Sequence, residues 1–138
     1  MIGSIRIKEA TIEDLIGIWV LEKRCFRDQA LSLDELHGLY QSLTIKIFVA
    51  RAPELLGYAI GGVSGESGKL WGKLYSLGVH PSARGKGIGF KLLEELEAWF
   101  ENLGAVFPEM TEARQAKTIE LYRKGGTRIV LPLTEEDI

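Results

Sequence analysis

The chain has 138 residues, 46% of them hydrophobic, which is enough to bury one sizeable core and too few for two ordinary domains, so a single domain over residues 1–138 is expected. A formal net charge of -2 and a pI near 5.8 exclude a general nucleic-acid surface, which carries a basic excess or stripe. The lone Cys25 has no disulfide partner, no paired Cys/His spacing points to a metal, and no apolar run matches a signal peptide or a membrane span; a cytoplasmic protein without metal or membrane contact is expected.

Ile5 and Ile7 alternate with Arg6 and Lys8 as in a short strand, and Thr11 with Asp14 three residues on offers a helix start. Ile12, Leu15, Ile16, Trp19, Cys25 and Phe26 follow helical spacing, which predicts a first helix with that face toward the core. Ser32 and Glu35 have capping-box spacing, and the apolar positions after them predict a second helix over about 32–43. The β-branched and aromatic run from Thr44 to Ala50 reads as a strand ended by Pro53.

Leu55–Val63 and Leu70–Val79 are two further strands, joined as a hairpin through Ser64-Gly65-Glu66-Ser67-Gly68. Leu92, Leu93, Leu96, Trp99, Phe100 and Leu103 recur every three or four residues, the strongest helical pattern in the chain, and Gly104 is its stop. Ala105-Val106-Phe107 reads as the opening of a buried strand, with Pro108 marking an edge, a bulge or the strand's end. Ala116, Ile119, Leu121 and Tyr122 then read as a short helix closed by Gly125-Gly126, and Thr127–Leu131 as a last strand.

Between the strand ending at Val79 and the long helix lies Arg84-Gly85-Lys86-Gly87-Ile88-Gly89. Glycines let the backbone approach an oxyanion closely, and the first-turn N–H groups and the helix dipole favour negative charge there. Phe90 after Gly89 breaks the nucleotide-triphosphate loop pattern, which needs Lys then Ser or Thr, and the glycine spacing breaks the dinucleotide fingerprint.

The hexapeptide matches Gln/Arg-x-x-Gly-x-Gly/Ala, and with Leu77-Gly78-Val79-His80-Pro81 before it and Leu121-Tyr122-Arg123-Lys124-Gly125-Gly126 after it the chain resembles the GNAT superfamily of N-acetyltransferases over most of its length. The resemblance implies an α+β fold: a mixed, mainly antiparallel sheet of about six strands flanked by four helices. It implies acetyl-CoA as acyl donor and a primary amine as acceptor. Leu77, Gly78 and Val79 would pair with the pantetheine arm, with the Val79 N–H facing the thioester oxygen. Arg84, Gly85, Lys86, Gly87, Ile88, Gly89 and Phe90 would hold the pyrophosphate, and Gln115 replaces the family's usual Asn near the last helix.

The resemblance places Tyr122 where the family protonates, or hydrogen-bonds, the departing thiolate. Lys69 to His80 lacks the carboxylate that many relatives use as base, which leaves Glu109 and Glu22 as candidate bases; Glu109 leans the acceptor toward a protein or peptide amine. His80, beside Pro81, reads as structural. Little chain remains for a seventh strand after Leu133, so either the sheet is short there or a second copy in a homodimer supplies the edge. The alternative function is a non-catalytic acyl-CoA-binding sensor or interaction module on the same fold.

Overall fold

The computed structural model describes residues 4–123 and 128–133. Alternating sequence produces four antiparallel strands, β1 (Arg6–Glu9), β2 (Ile45–Arg51), β3 (Leu55–Glu66) and β4 (Lys69–Val79), ordered β1-β2-β3-β4. The β3–β4 turn is shorter than its five-residue sequence suggests. It consists of Ser67 at φ 51 and Gly68 at φ 77, and two successive positive φ values match the right-handed twist of a two-residue hairpin.

Helices cover both faces of this sheet. On one side lie α1 (Leu15–Phe26) and α2 (Leu33–Gln41), whose Leu15, Ile18, Leu21 and Leu36 bury against Ile47, Val49, Tyr58 and Ile60. Ser32 and Glu35 form the expected capping box at the start of α2. Thr11 and Asp14 form another, but on a short 3-10 turn, Ile12–Asp14, ahead of α1. That offset rotates the expected face: Ile12, Ile16 and Val20 are exposed, while Ile18, Leu21 and Glu22 take the core.

On the other side α3 (Ile88–Leu103) buries Leu92, Leu93, Leu96 and Phe100, each worth roughly 1.5–3 kcal/mol of transfer free energy. The helix sits low because the sheet beneath it lacks side chains: a Cβ at Gly61 would lie 2.9 Å from Leu96, and one at Gly72 2.8 Å from Phe100. Gly104, at φ 75, ends α3 as expected.

From residue 105 to 122 the structure departs from the sequence expectation. Ala105–Phe107 contributes one parallel bridge, Trp71 to Val106, instead of a strand. Pro108 does not end that segment but opens α4 (Pro108–Ala116), the first helical turn being the one place where a missing N–H costs nothing. The residues read as a helix are strand β5 (Thr118–Tyr122), with Ile119 and Leu121 buried and Thr118, Glu120 and Tyr122 half-buried, a period of two. It pairs antiparallel with β6 (Arg128–Pro132) in a second, two-stranded sheet, and it lies beside β4. The described residues thus form six strands and four α-helices, an α+β fold as expected; Gly125, Gly126 and Thr127 lie outside them.

Candidate active site

The end of β4 has one free side. The N–H of His80 donates to the Leu56 carbonyl at 2.7 Å, and antiparallel pairs alternate between bonded and non-bonded. Tyr58 and Gly78 are therefore a bonded pair, while Val79 (opposite Gly57) and Leu77 (opposite Ala59) turn their N–H and C=O groups away from β3. A bulge between Ile60 and Gly61, where Tyr75 is the extra residue on β4, sets the facing. Leu74 and Leu77 both join the α3 core, and Ser76 and Gly78 turn toward α1.

After Val79 a 3-10 turn, Pro81–Ala83, is capped by His80, whose Nδ1 accepts from the Ser82 N–H at 3.1 Å, the structural role expected of it. The glycine loop follows. Gly85 and Gly87 sit at φ 85 and 76, and Gly87 is the N-cap of α3. The first bond into the helix runs from the Lys91 N–H to the Gly87 carbonyl at 3.0 Å, so none of the amides from Gly85 to Phe90 has an acceptor among the described residues. Six unbonded donors at the positive end of a helix form an anion cradle. Lys86 is exposed beside them.

Arg84 is less free than its place in the sequence suggests. Its Nε donates to the Val79 carbonyl at 3.1 Å, and a terminal nitrogen lies 3.7 Å from the Cys25 Sγ. The thiol in turn contacts the Val79 carbonyl at 3.8 Å. Burial pushes the Cys25 thiol up and the Arg84 guanidinium only partly offsets this, which keeps the sulfur protonated and of low nucleophilicity.

Beneath the strand end lies a buried polar cluster. Glu22, fully buried on α1, accepts the Leu31 N–H at 2.7 Å with Oε2. Its Oε1 accepts the Tyr58 hydroxyl at 2.7 Å and the Ser76 hydroxyl, with the Arg123 guanidinium at 3.4 Å. Arg123 stacks over Phe26 at 4.5 Å, and its Nε has no partner among the described residues. Burial, with the Glu22 charge beside it, pushes the Tyr58 hydroxyl well above the ordinary tyrosine value. A Cβ at Gly78 would lie 2.6 Å from the Tyr58 ring, so this glycine makes room for a tyrosine from inside the protein.

The remaining candidates lie on β5 and α4. Tyr122, the last residue of β5, has the Lys73 ammonium 5.3 Å from its ring and adjoins Arg123, whose guanidinium lies 3.5 Å from the Ser76 hydroxyl. Glu109, on the first turn of α4, lines a cavity of about 530 Å³ with Glu66, Trp71, Lys73, Glu112 and Tyr122, near the hairpin end of β4; its Oε2 is buried without a partner among the described residues. Gln115 is exposed on the last turn of α4, next to Arg114, which forms a two-bond pair with Glu97 of α3. The structure brings Leu77, Gly78, Val79 and Arg84–Phe90 together and sets Glu109 near the hairpin end of β4; Arg114, beside Gln115, lies 5.8 Å from the Phe90 ring.

The sequence expectation assigns Tyr58, Ser76, Cys25 and Arg123 no part in the site, with Cys25 read as packing of the first helix. The one signal for them is a polar Tyr58 and a polar Ser76 inside otherwise apolar strand runs, on positions that share a face. Among the described residues no group of three or more His, Cys, Asp or Glu side chains is placed to hold a metal, and no helix is long and apolar enough to cross a membrane.

The glucosamine N-acetyltransferase region of a fungal multi-domain beta-N-acetylglucosaminidase superposes with a TM-score of 0.67 at 24% identity, over 86% of this chain and 13% of that one. A ribosomal-protein-alanine N-acetyltransferase from Brucella melitensis gives 0.62 at 21%, over 76% of this chain and 77% of that one. An aminoglycoside N-acetyltransferase in complex with CoA gives 0.67 at 19%, over 82% and 84%. At such identities the likeness is one of fold. No curated protein sequence matches the chain. Residues 13–126 match the sequence profile of the acetyltransferase (GNAT) family, a span that takes in α1, the strand end and the whole glycine loop, and the chain accordingly belongs to that family.

Proposed function

We propose that this chain is an N-acetyltransferase that takes acetyl-CoA and passes its acetyl group directly to a primary amine. The observation that carries the reading is the run of six unbonded amides from Gly85 to Phe90, placed just past a strand end whose Val79 N–H points outward. The residues present fit the cofactor: the pyrophosphate oxygens need donors without side chains in the way, and Gly85, Gly87 and Gly89 offer them, with Lys86 adding charge. The outward backbone groups of Leu77 and the outward N–H of Val79 match the alternating amides of a pantetheine arm.

With the thioester carbonyl against the Val79 N–H, a fixed donor meets the oxygen on which negative charge grows as the amine attacks. The new C–N bond forms, the C–S bond breaks, and CoA leaves as a thiolate that takes up a proton. Neither Glu22, buried among internal donors, nor Glu109, near the hairpin end of β4, serves as base in this reading. Protons pass to and from water at the open strand end. Because the attacking nitrogen needs its lone pair, the rate rises with pH toward the amine's own pKa.

The test is thiol release from acetyl-CoA with a panel of N-terminal peptides, polyamines and aminoglycosides, alongside calorimetric binding of the cofactor. Peptide amines are the first acceptors to try. Absence of acetyl-CoA binding sinks the reading. A second reading, an acyl-CoA-binding sensor, is favoured by the lack of a carboxylate from Lys69 to His80; tight binding with no turnover across the panel would support it over the first.

A further inference from the structure

Two α1 residues one helical turn apart grip the end of β4 from the same side. Cys25 reaches the Val79 carbonyl and Arg84; Glu22 reaches the bonded pair next to it through the Tyr58 hydroxyl and, through Ser76, the residue two positions before Gly78. The other Glu22 oxygen holds the Leu31 N–H, in the chain between α1 and α2. This carboxylate is fully buried and all four of its donors are internal, so it is shut off from a substrate proton by the protein around it. It does fix the relative positions of α1, β3, β4 and residue 123.

We propose that Glu22 is a positioning residue: with Tyr58 and Ser76 it holds the Gly78 end of β4 against α1, and so sets where the Val79 N–H points. The claim rests on the acyl-transfer reading for its consequence in catalysis, but not for its mechanical content. Tyr58 is the working link. Its ring fills the space beside Gly78, its backbone bonds Gly78, and its hydroxyl ends on the carboxylate. With that hydroxyl removed the ring still fills the space and still packs on α1, but no hydrogen bond fixes it to Glu22.

The experiment compares wild type with Tyr58→Phe, Ser76→Ala and Glu22→Gln in the full chain. Tyr58→Phe is expected to lower kcat about tenfold while acetyl-CoA affinity moves less than about twofold, because donor placement acts on the transition state more than on cofactor binding. The pH profile of kcat/KM keeps its shape in Tyr58→Phe and Ser76→Ala, and also in Glu22→Gln if that variant folds. An acid limb that vanishes in Glu22→Gln would make Glu22 the general base and overturn the proposal.

Amide hydrogen exchange supplies the readout that needs no cofactor. The Gly78 amide, bonded across the ladder to Tyr58, is expected to exchange at least about tenfold faster in Tyr58→Phe, while amides in the middle of α3 keep their rates. An unchanged Gly78 amide overturns the positioning role whatever the outcome with acetyl-CoA. Failure of wild type to bind acetyl-CoA, with the exchange result intact, overturns the function and leaves the tie.

Discussion

Tyr58 and Gly78 face each other across the β3–β4 ladder, and the ring of the first occupies the volume a side chain of the second would need, 2.6 Å from the position of its Cβ. The ring cannot step aside without leaving Glu22. Gly78→Ala is therefore expected to cost about 1–3 kcal/mol, the usual penalty for overpacking a filled core. Urea unfolding measures it as a lowered midpoint at unchanged slope, and a midpoint equal to wild type would contradict this account of the glycine.

Gly87 is a glycine for the opposite reason. No atom lies within 4 Å of its missing Cβ, but its φ of 76 is left-handed. An alanine there pays about 1–2 kcal/mol of backbone strain, and asparagine less, since it visits that region more readily. Gly87→Ala is expected to weaken acetyl-CoA binding as well, with Gly87→Asn recovering part of both losses; calorimetry and thermal melts of the two variants check the order.

Asp14 ties the start of α1 to β2. Burial pushes its carboxyl up, but the Thr11 N–H at 2.8 Å, the Arg51 guanidinium and the Lys8 charge outweigh that and hold it below the ordinary value of 3.8. A depressed folded value means stability that is complete above pH 3.8 and is lost as pH falls through the lower folded value. The stability gap between wild type and Asp14→Asn should thus shrink only below pH 3.8, in a series of urea midpoints. A gap that is constant down the acid range would overturn the assignment.

Tyr58 gives the alkaline counterpart. Its folded value lies well above the ordinary 10.0, so the unfolded chain releases this proton first, and the contribution is full below pH 10 and lost as pH rises toward the folded value. In an alkaline spectrophotometric titration one tyrosine is expected to ionise only as the protein unfolds. That late step disappears in Tyr58→Phe.

Cys25 reports on the loop. Its sulfur lies between the Val79 carbonyl and Arg84, and its raised pKa predicts slow reaction with a disulfide reagent at neutral pH. Acetyl-CoA lying along Val79 should slow that reaction further, by at least about tenfold at saturating ligand, as expected when a bound state blocks access. Equal rates with and without ligand would place the cofactor elsewhere.

The parts of this molecule that the sequence makes legible are those where one local rule suffices. Ile5 and Ile7 alternate, Ser32 and Glu35 cap α2, and Leu92 to Phe100 repeat at helical intervals, and each of these elements is found. The loop at Arg84–Gly89 is legible because its chemistry lies in the backbone, and glycine is how a sequence writes an accessible backbone.

Residues 105–122 failed for a matching reason. Leu121 and Ile119 are two apart, as a strand requires, but Ala116 and Tyr122 complete a pattern loose enough to pass for helix, and Pro108, read as a strand's edge, bulge or end, is a first helical residue. The Glu22 cluster obeys no local rule at all. Its members stand 36, 54 and 101 positions from Glu22 and meet only because α1, β3, β4 and the residue after β5 converge.

The two-residue turn at Ser67-Gly68 bears on the order of assembly. It joins strands that are neighbours in sequence, so the β3–β4 hairpin can zip on the order of 1–10 µs, whereas β1 must find β2 across about forty residues of chain at a greater closure cost. Early pairing of β3 with β4 also aligns Tyr58 with Gly78 before α1 arrives. On that order Val79 and its outward N–H would be in register before the glycine loop forms, and α3 would dock onto a ready strand. Substitutions in the hairpin turn should slow folding, and those in the glycine loop should mainly speed unfolding.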